Sequence, residues 1–295
     1  MTYLPRRKPT HETLSVRGLN HRLTWWGTRG PAPIVLLHGF MDTSETWQFV
    51  VDCMPDDWNF VAFDWRGFGD TERSAGPYWF PDYLADLETI LDAVVSQARA
   101  RVVGHSMGGN VVTMYAGIRP KRLEWLVSLE GAGLQRSPIS LAPTHFEKWL
   151  DQLKNPPQQR PYKSLDVLVD VLRSKNPRLT AERAEFIARA WTRRTPAGFE
   201  LASDPKHRLV NATKYRREEA EACWRRAEAP VLMVLGELSD HPRALGADGT
   251  PEYFRALFRN IEVETLPGVG HMMHHEDPES VARLIEKFAR AQASP

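Results

Sequence analysis

The stretch of this sequence best equipped for chemistry is Gly104-His105-Ser106-Met107-Gly108, a serine with a glycine two residues away on either side. It follows the β-branched run Arg101-Val102-Val103 and leads into an apolar segment at 111–116, so a buried strand, a one-residue apex and a helix are expected in succession. At such an apex the backbone is strained in a way that lifts the side chain clear of the sheet, and neighbouring chain passes too close for side chains at the two glycine positions. The turn also sets the Met107 N–H at the start of the helix, where unpaired donors and the positive end of the dipole favour a developing oxyanion. Ser106 is therefore the candidate nucleophile.

A hydroxyl is a poor nucleophile at neutral pH. It needs an imidazole to take its proton, and the imidazole needs a carboxylate to fix its tautomer and stabilise the charge it gains. Both types stand just past later apolar runs. The run at 231–235 ends in Gly236-Glu237-Leu238-Ser239-Asp240, and the one at 261–266 ends in Pro267-Gly268-Val269-Gly270-His271. His271 is the candidate base. Asp240 is the preferred acid, because the loop after the penultimate strand is where this class of turn expects it; Glu130, which ends the run at 123–129, competes for the role, and Glu237 is a weaker contender. Upstream, Ile34-Val35-Leu36-Leu37 discharges into His38-Gly39-Phe40, a loop expected to supply a second oxyanion donor from the Phe40 N–H. His274 and His275 have no acidic or cysteine ligands at recognisable spacing, so no metal is expected there.

These residues must be held by an ordered framework. Short strands at 13–16 and 22–26, separated by Gly18, Leu19 and Asn20, read as an antiparallel hairpin at a sheet edge. Residues 46–54 read as a helix stopped by Pro55, 59–63 as a buried strand, and 80–97 as an amphipathic helix. Between the last two, Asp64 and Arg66 can pair locally. Alternating strands and helices require right-handed crossovers and a mostly parallel central sheet flanked by helices on both faces, an α/β architecture.

From 134 to 229 the pattern changes. Four helix-like pieces, at 145–153, 164–175, 180–194 and 215–227, follow one another without a buried strand, and prolines separate most of them. This segment reads as a helical cap inserted into a core made of 1–133 and 230–295. Trp149 and Trp191 in the cap, with His38 in the early loop, are the candidate pocket residues. The charged stretch 214–221 reads as a solvated helix face. Helices at 251–258 and 278–293 complete the core.

Composition narrows the partners. Lys and Arg total 38 against 37 Asp and Glu, with no long basic run, which argues against nucleic acid and leaves a small molecule as the expected partner. The two cysteines, Cys53 and Cys223, are far apart and imply neither a disulfide framework nor a zinc site. No apolar run approaches a bilayer-spanning length, and Arg6-Arg7-Lys8 precedes polar residues, so a soluble cytoplasmic protein is expected.

Taken together, Leu36-Leu37-His38-Gly39-Phe40, Asp64-Trp65-Arg66-Gly67-Phe68-Gly69, Gly104-His105-Ser106-Met107-Gly108-Gly109, Gly236-Glu237-Leu238-Ser239-Asp240 and Gly270-His271 through Pro278 resemble the α/β-hydrolase family over nearly the whole chain. The resemblance implies that fold with a cap, and a serine hydrolase needing no metal or organic cofactor. Members include esterases, thioesterases, lactonases and carbon–carbon bond hydrolases. Epoxide hydrolases and haloalkane dehalogenases use an aspartate where this chain has Ser106, and in some dehalogenases the acid follows the strand that ends here at Glu130. A small carboxylic ester is the expected substrate.

Overall fold

The apolar runs pair into one sheet in a computed structural model, which describes residues 2–30, 32–95 and 99–293. In chain order the strands are β1 (Thr10–Val16), β2 (Leu19–Trp26), β3 (Ile34–Leu37), β4 (Phe60–Phe63), β5 (Ala100–His105), β6 (Leu123–Leu129), β7 (Thr192–Thr195), β8 (Gly198–Leu201), β9 (Val231–Gly236) and β10 (Ile261–Leu266). All but β7 and β8 lie in the central sheet, in the order β1-β2-β4-β3-β5-β6-β9-β10, with β1 and β2 antiparallel and every pair from β4 to β10 parallel. The edge hairpin turns through Arg17 and Gly18, both in the left-handed region at φ 47° and 81°, as a two-residue hairpin loop requires.

Strands buried on both faces explain the uninterrupted apolar runs. Val35 and Leu37 join Val61, Phe63 and Val102 on one face, beneath the helices Phe80–Val94 and Met107–Ile118. Their neighbours Ile34 and Leu36 join Phe60, Val103 and Val127 on the other, against the helix Pro278–Gln292 through Val281, Ile285 and Phe288. The expected helix at 80–97 is observed to Val94, and Ser96 and Gln97 lie outside the described residues. That at 46–54 is shorter, a 3₁₀ turn over Ser44–Trp47 running into Gln48–Val51.

The inserted segment departs from expectation in two places. Helices form at Ala142–Lys154, Leu165–Lys175 and Ala181–Ala190, the last two capped by Ser164 and Thr180. The reading of one helix through Arg194 fails, because the chain enters the hairpin of β7 and β8. Pro196 and Gly198, the latter at φ 127°, reverse the chain there. The final piece, Arg217–Trp224, packs in the core layer: Ala220 and Trp224 are buried in the same cluster as Val111 and Phe254, and Trp224 stacks on Phe258 at 5.5 Å. The core layer therefore resumes at Arg217, before the boundary expected at 229.

Two electrostatic readings are also corrected. Arg217 and Glu221 are buried rather than solvated; Arg217 donates to the Ala132 carbonyl (2.9 Å), the Asp248 carbonyl (2.7 Å) and Glu221 (3.1 Å), with its guanidinium 5.3 Å over the Trp224 ring. Asp64 does not pair with Arg66. It accepts from the backbone N–H groups of Ser44 and Asp70, while Arg66 makes a two-pronged contact with Asp86 at 2.6 and 2.5 Å.

Asp86 has no exposed side-chain surface and also receives Arg17, whereas Asp82 stands farther from Arg66, at 3.4 Å, and is partly exposed. Asp86→Ala would take both short bonds from a buried guanidinium. We expect it to lower unfolding free energy in urea by about 3–5 kcal/mol; a loss below about 1 kcal/mol would show that the pair does not hold the helix Phe80–Val94 to the β4 loop.

Candidate active site

Ser106 sits between β5 and the helix Met107–Ile118 at φ 48° and ψ −110°, outside the regions that ordinary residues occupy. The glycines around it are required by close approach. A Cβ on Gly104 would lie 2.6 Å from the Gly108 carbonyl carbon, and one on Gly108 would lie 2.5 Å from the Leu37 carbonyl oxygen. The half-buried hydroxyl faces His271, whose Nε2 lies 3.0 Å from Ser106 Oγ. On the other side of the same ring, His271 Nδ1 is 2.5 Å from Glu130 Oε2. Serine, imidazole and carboxylate thus form one hydrogen-bonded chain.

The carboxylate in that chain is Glu130, not Asp240. Asp240 is turned outward with 97% of its side chain exposed, and its nearest ionic partner is Arg243 at 3.6 Å. The reason is local. Ser239 caps the short helix Asp240–Ala244, which directs Asp240 to solvent and leaves the Ser239 hydroxyl facing inward, where it donates to Glu130 Oε2 at 2.7 Å. The Gly236 N–H donates to the other oxygen at 2.7 Å, so the fully buried carboxylate is held from three sides. Glu237 is directed elsewhere and accepts from the Gly268 N–H.

Both expected oxyanion residues lie beside Ser106. Met107 is the first residue of its helix, and Phe40 follows Gly39, where a Cβ would come within 3.2 Å of Ser106 Cβ. The expected pocket residues are placed differently. His38 is fully buried and serves as a strut: its Nδ1–H donates to the Gly39 carbonyl at 2.7 Å, and its Nε2 accepts from the Trp65 N–H at 3.0 Å. Burial pushes its pKa down. Trp191 donates through Nε1 to Asp42 Oδ1 at 2.7 Å, tying the inserted segment to the β3 loop. Trp149 lines an apolar cavity of about 440 Å³ with Tyr78, Trp79, Leu153, Leu209 and Val210. Rings connect that cavity to the β3 loop, since His207 stacks on Tyr78 at 3.8 Å and meets Phe40 edge-on at 6.1 Å.

Sequence reasoning missed the support of His271. His105 Nε2 donates to the His271 carbonyl at 2.8 Å, and the His241 ring lies 5.3 Å from that of His271. Only the position of His105 beside Ser106 hinted at a role.

The profile of the alpha/beta hydrolase fold family matches residues 32–278, and the chain belongs to that family. It is 26% identical over 283 residues to a serine hydrolase-like protein of Danio rerio, covering 91% of this chain and 84% of that one. Serine hydrolase-like protein 2 of Homo sapiens is 24% identical over 282 residues, covering 89% and 88%. The thioesterase domain from the curacin biosynthetic pathway superposes with a TM-score of 0.80 at 22% identity, covering 95% and 99%; a hypothetical protein of Pseudomonas aeruginosa does so at 0.82 and 24%, covering 96% and 99%. Those structural likenesses are of fold. Family membership supports a hydrolase, and no helix among the described residues is long and apolar enough to cross a membrane.

Because Gly104 meets backbone rather than a flexible side chain, Gly104→Ala cannot be absorbed by a rotamer change. It is expected to destabilise the fold by about 1–3 kcal/mol and to abolish labelling of Ser106 by a fluorophosphonate, read by intact-protein mass.

Proposed function

We propose that this hydrolase is a serine esterase acting on a small carboxylic ester, with Ser106 as nucleophile, His271 as base and Glu130 as the acid of the triad. The observation that carries the proposal is that His271 bonds Ser106 and Glu130 at once, at 3.0 and 2.5 Å. His271 Nε2 takes the hydroxyl proton as Ser106 Oγ attacks the ester carbonyl, while Glu130, accepting from Nδ1–H, stabilises the imidazolium and stays ionised. The Phe40 and Met107 N–H groups receive the oxyanion, and each such donor is worth roughly a hundred- to a thousandfold in rate. Nε2–H then protonates the departing alkoxide. Water, deprotonated by the same nitrogen, attacks the acyl-enzyme, and collapse returns the proton to Oγ and frees the acid. These steps ask nothing of a metal or an organic cofactor.

The inserted segment is read as the lid over this site. The apolar cavity at Trp149 supports a substrate with an apolar acyl or alcohol group. The serine hydrolase-like naming of the relatives supports the nucleophile, and the ester as substrate rests on the geometry of the relay. A ligand receptor built on the same fold would have no need of a carboxylate held from three sides behind an imidazole.

Three variants separate the roles. Ser106→Ala should abolish turnover of p-nitrophenyl acetate and fluorophosphonate labelling. Glu130→Gln should lower kcat by up to about 10⁴, because the imidazole loses its tautomer control. Asp240→Asn should leave kcat within about twofold, as expected for an exposed surface change. Loss of turnover in Asp240→Asn with activity kept in Glu130→Gln would overturn the assignment of the acid.

A further inference from the structure

Directly behind the nucleophile lies a second cluster of ligating side chains that the mechanism does not use. One ligand atom from each of Asp42, His105 and His274 lies within 4.8 Å of the other two, and all three residues are buried. We propose that Asp42, His105 and His274 form a binding site for one divalent transition-metal ion of the zinc class, with His275 at its rim. The acidic ligand that the sequence around His274 and His275 does not offer at a recognisable spacing is supplied by the fold, from Asp42, 232 residues before His274.

The donor atoms are in a suitable state. His105 Nε2 must carry hydrogen, because its partner, the His271 carbonyl, can only accept; the lone pair is therefore on Nδ1, which is buried and has no partner. Gly39 keeps that nitrogen uncovered, since a Cβ there would lie 2.6 Å away. Asp42 divides its two oxygens. Oδ1 accepts from Trp191 Nε1 (2.7 Å), Thr46 Oγ1 (2.8 Å) and the Thr43 N–H (2.8 Å), which fixes the carboxylate, while Oδ2 faces only imidazoles. His274 Nε2 is 3.2 Å and His275 Nε2 3.4 Å from Oδ2. Good charge-assisted bonds are shorter, about 2.7–2.9 Å. The 3.2 Å between His274 Nε2 and Asp42 Oδ2 is close to the ~3.3 Å between two ligands on one tetrahedral zinc with bonds of about 2.0–2.1 Å, and the His105 ligand atom lies within 4.8 Å of both.

Protonation does not oppose binding. Burial pushes the His105 pKa well down and that of His274 to about 4, so both rings are neutral near pH 7. Burial alone would raise Asp42, but the adjacent His275 and His274 outweigh it and hold the carboxyl well below its usual range. On binding, the ion replaces the hydrogen on His274 Nε2, and that proton moves to the unpartnered Nδ1 or to solvent. Imidazole-rich sites with one carboxylate select zinc, nickel or copper over magnesium and calcium, which demand more oxygen ligands.

The test needs no substrate, so its failure is separable from that of the esterase reading. The chelator-stripped chain is incubated with ZnCl₂, desalted and analysed for metal, with His274→Gln and His145→Gln in parallel; His145 lies in the inserted segment, bonded to the Asn211 carbonyl. The native chain and His145→Gln should each retain one zinc, and His274→Gln should bind at least roughly tenfold more weakly. CoCl₂ is the second readout on the native chain, which should give the intense visible absorption of tetrahedral cobalt. Equal zinc retention by His274→Gln, no retention by the native chain, or a cobalt spectrum typical of the hydrated ion would each overturn the proposal; should His274→Gln fail to fold, the cobalt spectrum decides.

Discussion

The site depends on the register between β5 and β6. Gly104 pairs with Ser128 and His105 with Leu129, so the next residues in step are Ser106 and Glu130. Each is the first residue past the end of its strand, and each is a non-glycine in the left-handed region, at φ 48° and 54°. Parallel neighbours stand about 4.8 Å apart, so hydroxyl and carboxylate start out one strand spacing from each other and an imidazole fits between them. Such backbone positions cost about 1–3 kcal/mol each. Fixed hydrogen bonds offset that cost: Ser106 N–H to the Leu129 carbonyl at 2.8 Å, Glu130 N–H to the Val234 carbonyl at 3.0 Å, and three donors on the Glu130 carboxylate.

This constraint explains what could be read from the sequence and what could not. Strands buried on both faces leave unbroken apolar runs, and the two glycines around Ser106 are dictated by backbone contact, so the sheet, the apex and the place of Ser106 on it were all legible. His271 was legible because it follows the last strand. Which carboxylate meets His271 was not, since Glu130 and Asp240 both follow strand ends and differ only in the path of the chain afterwards. Ser239, one residue before Asp240, settles the matter by capping a helix outward while its hydroxyl bonds to Glu130. Composition does not encode which of two adjacent polar residues turns inward.

Burial of charge misled the reading in the same way. Lys214-Tyr215-Arg216-Arg217-Glu218-Glu219-Ala220-Glu221 has the charge density of a solvated face. Ala220 is nevertheless fully buried, and around it Arg217 and Glu221 face inward together at the i, i+4 spacing. Arg217 is acceptable in the interior because carbonyls of Ala132 and Asp248 and two aromatic rings surround it. Ala132 is two residues beyond Glu130, so this internal cation also fixes the segment by which the chain leaves Glu130. A helix that reads as surface is thus part of the machinery that holds the site.

Asp42 plays the corresponding part on the opposite side of Ser106. It is two residues from Phe40, it accepts from Trp191 of the inserted segment, and its second oxygen faces His274, three residues after His271. A single buried carboxylate therefore joins the loop that would hold an oxyanion, the segment read as a lid and the loop that carries His271. Moving any one of them strains the bonds to the other two, because an unpaired buried carboxylate is costly. The segment between β6 and β9 is consequently anchored at Trp191, through its bond to Asp42. Farther out, the helix Ala142–Lys154 has no such anchor in the core: it contributes no buried residue and presents Phe146, Leu150 and Leu153 to solvent.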